Sequence, residues 1–411
     1  MPKAFRARYI IPLRGEPSAR GRRSLYAPLE CMEDAVLLTA HGQILGLESF
    51  ADFSRRPSVQ FALTDFGEAC LVPGLINAHC HLELSHLAGN TAQGGGFANW
   101  LSSLVPLLHK EYDSALVRSA ITHAIEDAFA CGTAHIGDVT SRLPLEISAI
   151  AASLAKSRAL PYPVTHFLEA IGFTPNKGID SAEGYSPLCV EAIPEDVRAN
   201  FAIAGHALYS TSPKALQAAY SWSRKHGRIF SLHLAESEQE QECLMSGCGA
   251  LHDIMRASLL PKDWLCPGMG AVDYAVKLQL LSMSTLAVHC VHISDNDMRH
   301  LSLSGAYVCL CPRSNEYIGV GRARASAMVG AGVNLCLGTD GLSSNHNLDM
   351  QQEMLAALRL YDIPGRALLR MATINGAEAL RLRQSLGSFA AGKAAAWCVL
   401  EPELAAAVLA P

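Results

Sequence analysis

Apolar residues run through this chain in short blocks, separated by amphipathic stretches of helix length. From Leu71 onward eight such blocks recur: Leu71–His81, Thr133–Ser141, Pro163–Phe173, Phe201–Ser210, Arg228–Ser237, Thr285–Ser294, Ala306–Asn315 and Asn334–Ser344. Between them lie segments such as SALVRSAITHAIEDAFACG and SPKALQAAYSWSRKHG, with apolar residues every three or four positions and a terminal glycine that stops the helix. Strands alternating with helices eight times predict an α/β fold, a closed (β/α)8 TIM barrel over residues 71–384. Residues 1–70 read differently. RYIIPL is a short strand, and Ala35–Ser49 is two apolar runs around His41-Gly42, a hairpin signal. The segment Gly387–Leu400 reads as a returning strand pair. Residues 1–70 and 385–411 are therefore expected to form one small β-sandwich domain. The stretches 174–200 and 240–283 are expected to be long loops that shape a pocket.

Composition narrows the class. A hydrophobic content of 50% against 17% charged residues describes a large apolar core. A net charge of −5 argues against a nucleic-acid or acidic-membrane surface. No apolar leader and no run of about 18 apolar residues is present, so a cytoplasmic chain with no membrane partner is expected. The 13 cysteines lack CxxC spacing and read as reduced, mostly buried thiols.

Candidate chemistry collects at the C-terminal ends of the blocks, the face on which such barrels build active sites. His79 and His81 sit two residues apart, so on a strand their imidazoles share one face. His233 closes the fifth block with Glu236 three residues on, and His206 and His289 close the fourth and sixth. Asp340 stands between glycines in GTDG at the end of the eighth. Each has a plain structural alternative: a core histidine, a helix-starting glutamate, a capping aspartate. As an ordered set they suit one divalent ion bound by imidazoles and a carboxylate, Zn2+ or Fe2+.

The order His-x-His, His-x-x-Glu, His and Asp, with LVPGLINAHCH, HLAESEQE, GTDGLSSNHNLDM, TINGAEAL and GSFAAGKAA, resembles the amidohydrolase superfamily along nearly the whole chain. The resemblance implies His79, His81, His233 and Asp340 as ligands of one metal, Zn2+ ahead of Fe2+. GHALYSTSP offers no lysine before Lys214 to bridge a second ion. It further implies that Asp340 and His289 orient a water and take its proton, and that Glu236 protonates the ring nitrogen beside an amine-bearing carbon. Within the superfamily the chain is most similar to purine and nucleoside deaminases. HCHLELSHL and CPRSNEYIG resemble aminodeoxyfutalosine deaminases of menaquinone biosynthesis. On that resemblance His206, Glu83, Ser85, Trp100, Arg313 and Asn315 are expected around the substrate, with Arg313 facing a carboxylate or, alternatively, forming a structural ion pair. The expected partner is a small adenine nucleoside, with a homodimer as the assembly. Other readings are S-adenosylhomocysteine, methylthioadenosine or adenosine deaminases. Hydrolases of guanine, triazine or pyrimidine rings, chlorohydrolases included, are also open. A non-catalytic barrel serving as an interaction subunit belongs to a different class.

Overall fold

The computed structural model describes residues 2–15, 24–56, 61–156, 163–173 and 200–410. Its strands are β1 (Lys3–Ile10), β2 (Met32–Ala40), β3 (Gln43–Ser49), β4 (Ala62–Asp65), β5 (Cys70–Pro73), β6 (Leu75–Cys80), β7 (Thr133–Thr140), β8 (Val164–Glu169), β9 (Phe201–Ala207), β10 (Phe230–Leu234), β11 (Thr285–His289), β12 (Tyr307–Leu310), β13 (Asn334–Leu337) and β14 (Trp397–Val399). Strands β6 to β13 form one eight-stranded sheet in sequence order, parallel throughout. The eight expected strands are all present, and they make the α/β barrel.

The ends of this sheet meet at the site. The amide N–H groups of Thr339 and Asp340, just past β13, donate to the carbonyl of His79 on β6 at 3.1 and 3.0 Å. Asn77 and Thr339 exchange two further bonds, amide to hydroxyl at 2.7 Å and backbone N–H to amide oxygen at 3.0 Å. Inside, Ile76, Val139, Phe167, Ala204, Leu286, Val288, Cys309 and Cys336 form one buried cluster drawn from seven of the eight strands, which packs the barrel.

The helices follow the sequence signals. Ser114–Ala130 is capped by the Asp113 side chain, and Pro213–Lys225 by Ser212. The chain then turns at Gly132 and Gly227, both at positive φ. The stretch after β10 is not a loop: it holds three helices, Glu238–Ser246, Ala250–Ser258 and Ala271–Lys277. The expected 174–200 loop lies outside the described residues except for Asn200.

The accessory part is one mixed sheet in the order β14-β5-β1-β2-β3, with β4 beside β1, rather than two stacked layers. The apolar run from Leu71 to His81 is shared: β5 pairs with β1 and β14, and β6 opens the barrel after Gly74. The hairpin β2–β3 turns at His41 and Gly42, both at positive φ as a type I′ turn requires. The C-terminal strand pair is not found. Only Trp397–Val399 is a strand, joined by a lone bridge from Ala394 to Gln43, and the chain ends in the helix Pro402–Leu409. Buried Arg370 ties the N-terminal segment to the barrel by donating to the carbonyls of Leu25, Ala27 and Pro28 at 3.2, 2.9 and 3.3 Å. The twelve cysteines among the described residues are free thiols, and no described helix is long and apolar enough to cross a membrane.

Gly338 is where closure is tightest. A Cβ there would lie 2.8 Å from Cys309 Sγ and 2.9 Å from both the backbone N and O of His79. We expect Gly338→Ala to cost about 1–3 kcal/mol of stability by overpacking and to weaken divalent-metal binding, because His79, an expected ligand, is the group displaced. Urea unfolding with a parallel zinc titration checks both; wild-type values would show that closure at β13 does not set the site.

Candidate metal centre and active site

His79 is fully buried at the end of β6 and His81 follows one residue beyond it. His233 stands on β10, His289 ends β11, and Asp340 lies just past β13. All point to the C-terminal mouth of the barrel. One nitrogen each of His79, His81 and His233 fall within 4.8 Å of one another. The Nε2 atoms of His81 and His233 are 3.3 Å apart. Asp340 Oδ1 is 3.4 Å from His79 Nε2 and 3.5 Å from His81 Nε2. Convergence uses uncommon backbone: His206, Ala235, His289, Cys290 and Asp340 all have positive φ. Non-glycine residues in that region cost about 1–3 kcal/mol each and cluster at functional sites.

The surrounding bonds set which atoms are free. His233 Nδ1 donates to the His206 carbonyl at 2.9 Å, so Nε2 keeps its lone pair for the centre. Ser314 and Ser344 donate to Asp340 Oδ2 at 2.7 and 2.6 Å and turn Oδ1 toward the imidazoles. Both ring nitrogens of His79 are buried without a hydrogen-bond partner, Nε2 facing Asp340 Oδ1 at 3.4 Å. A polar group so placed costs about 1–3 kcal/mol unless a ligand takes it. This unsatisfied imidazole, with two further Nε2 atoms and a carboxylate oxygen facing it, fits a divalent ion of the zinc type.

Electrostatics agree with that fit. Burial, and then the neighbouring His79, lowers His81 to about 3; burial lowers His206 to about 4 and His289 to about 4. These three imidazoles are therefore neutral near neutral pH, and His81 in that form can ligate. Burial opposes ionisation of Asp340, but His79 and His81 beside it hold it well below the usual carboxylate range. Glu236 goes the other way. Burial, with Asp340 and Glu240 nearby, holds it well above the ordinary value. Its Oε1 lies 3.6 Å from His289 Nε2, and Glu240 fixes its backbone N–H at 2.8 Å. A carboxyl pushed toward its protonated form thus adjoins an imidazole pushed toward its neutral form beside the ligand cluster, an arrangement suited to acid–base chemistry.

The residues expected around a substrate divide. His206 is at the site: its carbonyl holds His233, its Nδ1 meets Ser210 Oγ, and its ring is 5.4 Å from that of His233. Asn315 acts through His289, accepting from Nδ1 at 3.1 Å. Glu83 is spent on the chain: it takes the Thr140 hydroxyl at 2.8 Å, the Ser141 N–H at 3.0 Å and the Arg142 N–H at 2.8 Å. Ser85 donates to Leu82 O at 2.7 Å within its own turn. Trp100 donates to Ser343 O at 2.8 Å. Arg313 takes the structural alternative, bonding Asn347 at 2.6 Å and lying 3.8 Å from buried Glu353.

Sequence reasoning passed over Asp138, His166 and Glu169. Asp138 accepts from the N–H of Leu82, the residue after His81, at 2.9 Å, and from His166 Nδ1 at 3.1 Å. Glu169 ends β8, and burial pushes it up to about 7. A lone acid inside the apolar runs TAHIGDVTS and PVTHFLEAIGF was the available signal.

Residues 70–409 match the model of the amidohydrolase family. A 5-methylthioadenosine/S-adenosylhomocysteine deaminase of Nitratidesulfovibrio vulgaris is 28% identical, over 80% of this chain and 70% of that protein. One of the same description from Bacillus cereus is 25% identical over 91% and 82%. Among solved structures, the Helicobacter pylori aminofutalosine deaminase in complex with methylthio-coformycin superposes with a TM-score of 0.78 at 22% identity, covering 97% of this chain and 91% of that one. A zinc-bound adenosine deaminase from Xanthomonas campestris gives 0.73 at 23%, covering 96% and 83%. At these identities the two structures speak for the fold.

Removing one of the hydroxyls that hold Asp340, by Ser314→Ala, should weaken divalent-metal binding about 10–100-fold, and Asp340→Ala should weaken it further. A chelator competition titration measures both. Unchanged affinity in Asp340→Ala would remove that carboxylate from the centre.

Proposed function

The chain belongs to the amidohydrolase family, and on that premise we propose that it is a metal-dependent hydrolytic deaminase of adenine nucleosides. The observation that carries this reading is the pairing of two sets of groups. Three imidazoles and Asp340 converge on one point, and the Glu236–His289 pair adjoins them, 3.6 Å apart. The nucleoside class is supported by the deaminase descriptions of the relatives.

His79, His81, His233 and Asp340 would hold one divalent ion, zinc by donor set. When bound, it makes water nucleophilic near neutral pH. Asp340 and His289 orient that water and accept its proton. Glu236, which burial pushes toward its protonated form, donates to the ring nitrogen beside the amine-bearing carbon and makes that carbon electrophilic. The water oxygen bonds to the carbon. The ring nitrogen keeps the proton from Glu236; of the two water protons, one passes from Asp340 and His289 to the departing amine and the other returns to Glu236, so ammonia leaves and a carbonyl forms. Asn315 keeps His289 in place throughout.

Within this class aminodeoxyfutalosine remains the favoured substrate, supported by the likeness of HCHLELSHL and CPRSNEYIG to deaminases of that compound. Arg313 would have to exchange Asn347 and Glu353 for the substrate's benzoate. The alternative is a 5′-thio nucleoside such as methylthioadenosine.

Ammonia release by zinc-loaded protein tests the reading on aminodeoxyfutalosine, methylthioadenosine, S-adenosylhomocysteine, adenosine and guanine side by side. Turnover of adenine nucleosides ahead of guanine is expected. Glu236→Gln should keep its zinc and lose about 10²–10⁴-fold in kcat. Silence on every nucleoside, or near-normal turnover by that variant, would overturn the assignment.

A further inference from the structure

One carboxylate at the mouth of the barrel has no task in the chemistry above. Glu169 ends β8, is only 9% exposed, and has an Oε1 atom buried with no hydrogen-bond partner. Its other oxygen accepts the Ser141 hydroxyl at 3.0 Å. Ser141 is itself held through its backbone N–H by Glu83. Glu83 therefore acts at one remove: it fixes the loop that fixes Glu169, and the free oxygen is held in one direction. The carboxylate adjoins the site: one of its oxygens lies within 4.8 Å of ring nitrogens of His206 and His233.

A buried acceptor without a donor costs free energy that a ligand recovers by supplying an O–H or N–H. Metal binding is the poorer explanation. His233 has one free nitrogen, which stands 3.3 Å from His81 Nε2 and is used there, and His206 has spent Nδ1 on Ser210. The other acids nearby are engaged within the chain. Asp138 accepts from Leu82 and His166, Glu353 from Asn345 and Arg313, and Glu83 from the loop after β7. An adenine nucleoside carries two kinds of donor, the amine that is hydrolysed and the hydroxyls of its sugar. With the amine at the metal centre, the hydroxyls remain for Glu169.

We propose that Glu169 is a specificity-determining residue that accepts hydrogen bonds from the sugar hydroxyls of the nucleoside, held for that purpose by Ser141 and Glu83. The inference rests on the nucleoside reading and deepens it. It makes the enzyme a selector of ribosides over deoxyribosides, because a substrate without the hydroxyl leaves a buried carboxylate unpaired.

The test is a cycle of two substrates and three proteins. Adenosine and 2′,3′-dideoxyadenosine are compared on wild type, Glu169→Gln and Glu169→Ala, with zinc content and melting temperature recorded for each. Wild type should prefer adenosine by about 10–100-fold in kcat/KM, the worth of a hydrogen bond to a charged group. Glu169→Ala should lose most of that preference, mainly through KM for adenosine, with zinc content unchanged. Glu169→Gln, which keeps an acceptor and the side-chain volume, should retain part of it. Equal losses on both substrates, or no preference in wild type, would overturn the assignment. Loss of zinc from either variant would make Glu169 a metal ligand instead and overturn it equally. Wild-type silence on both substrates, and on the other adenine nucleosides, would remove the nucleoside reading and this inference with it.

Discussion

Burying imidazoles and carboxylates together at the end of an apolar barrel is costly unless something binds them, and the architecture of this chain is arranged around that cost. His79 has neither ring nitrogen satisfied, and its neighbours offer lone pairs rather than protons. The same burial that makes the cluster expensive keeps His81 and His289 neutral and pushes Glu236 toward its protonated form. A cation resolves the first problem, and the second is what acid–base catalysis needs.

Holding such a cluster requires a rigid frame, and the barrel supplies it through backbone rather than side chains. The Thr339 and Asp340 amides bond the carbonyl of His79 itself, so closure of the sheet and placement of two ligands are one event. Strain at the strand ends, with His206, Ala235, His289, Cys290 and Asp340 at positive φ, is carried by this frame. Around it lies a shell of neutral donors and acceptors: Ser314 and Ser344 on Asp340, Asn315 on His289, the His206 carbonyl on His233. Each fixes which atom of a functional side chain faces inward.

The frame was largely legible in the sequence because strands buried on both faces write themselves as apolar blocks, and the polar residue that ends each block stands out. His79, His81, His233, His289, Glu236 and Asp340 were all found that way and are brought together. What was not legible depended on partners far along the chain. Glu83 and Ser85 follow the ligands directly, yet their bonds go to the loop after β7 and to their own turn. Arg313 looked free to meet a carboxylate, but buried Glu353 lies 40 positions on, in a helix that periodicity alone does not dock against it. Glu169 was hidden because a lone acid in an apolar run gives no sign of what faces it. The helices after β10 were read as loop because each is short and flanked by glycine and proline, which local pattern weighs more heavily than packing.

The claim on which the rest stands is that these residues form one metal centre. Counting zinc by elemental analysis, after chelation, reloading and exhaustive dialysis, tests it most directly, with wild type set beside His79→Ala. One ion per wild-type chain, and none in the variant, is the result predicted. Two ions per chain, or one that persists without His79, would contradict the account.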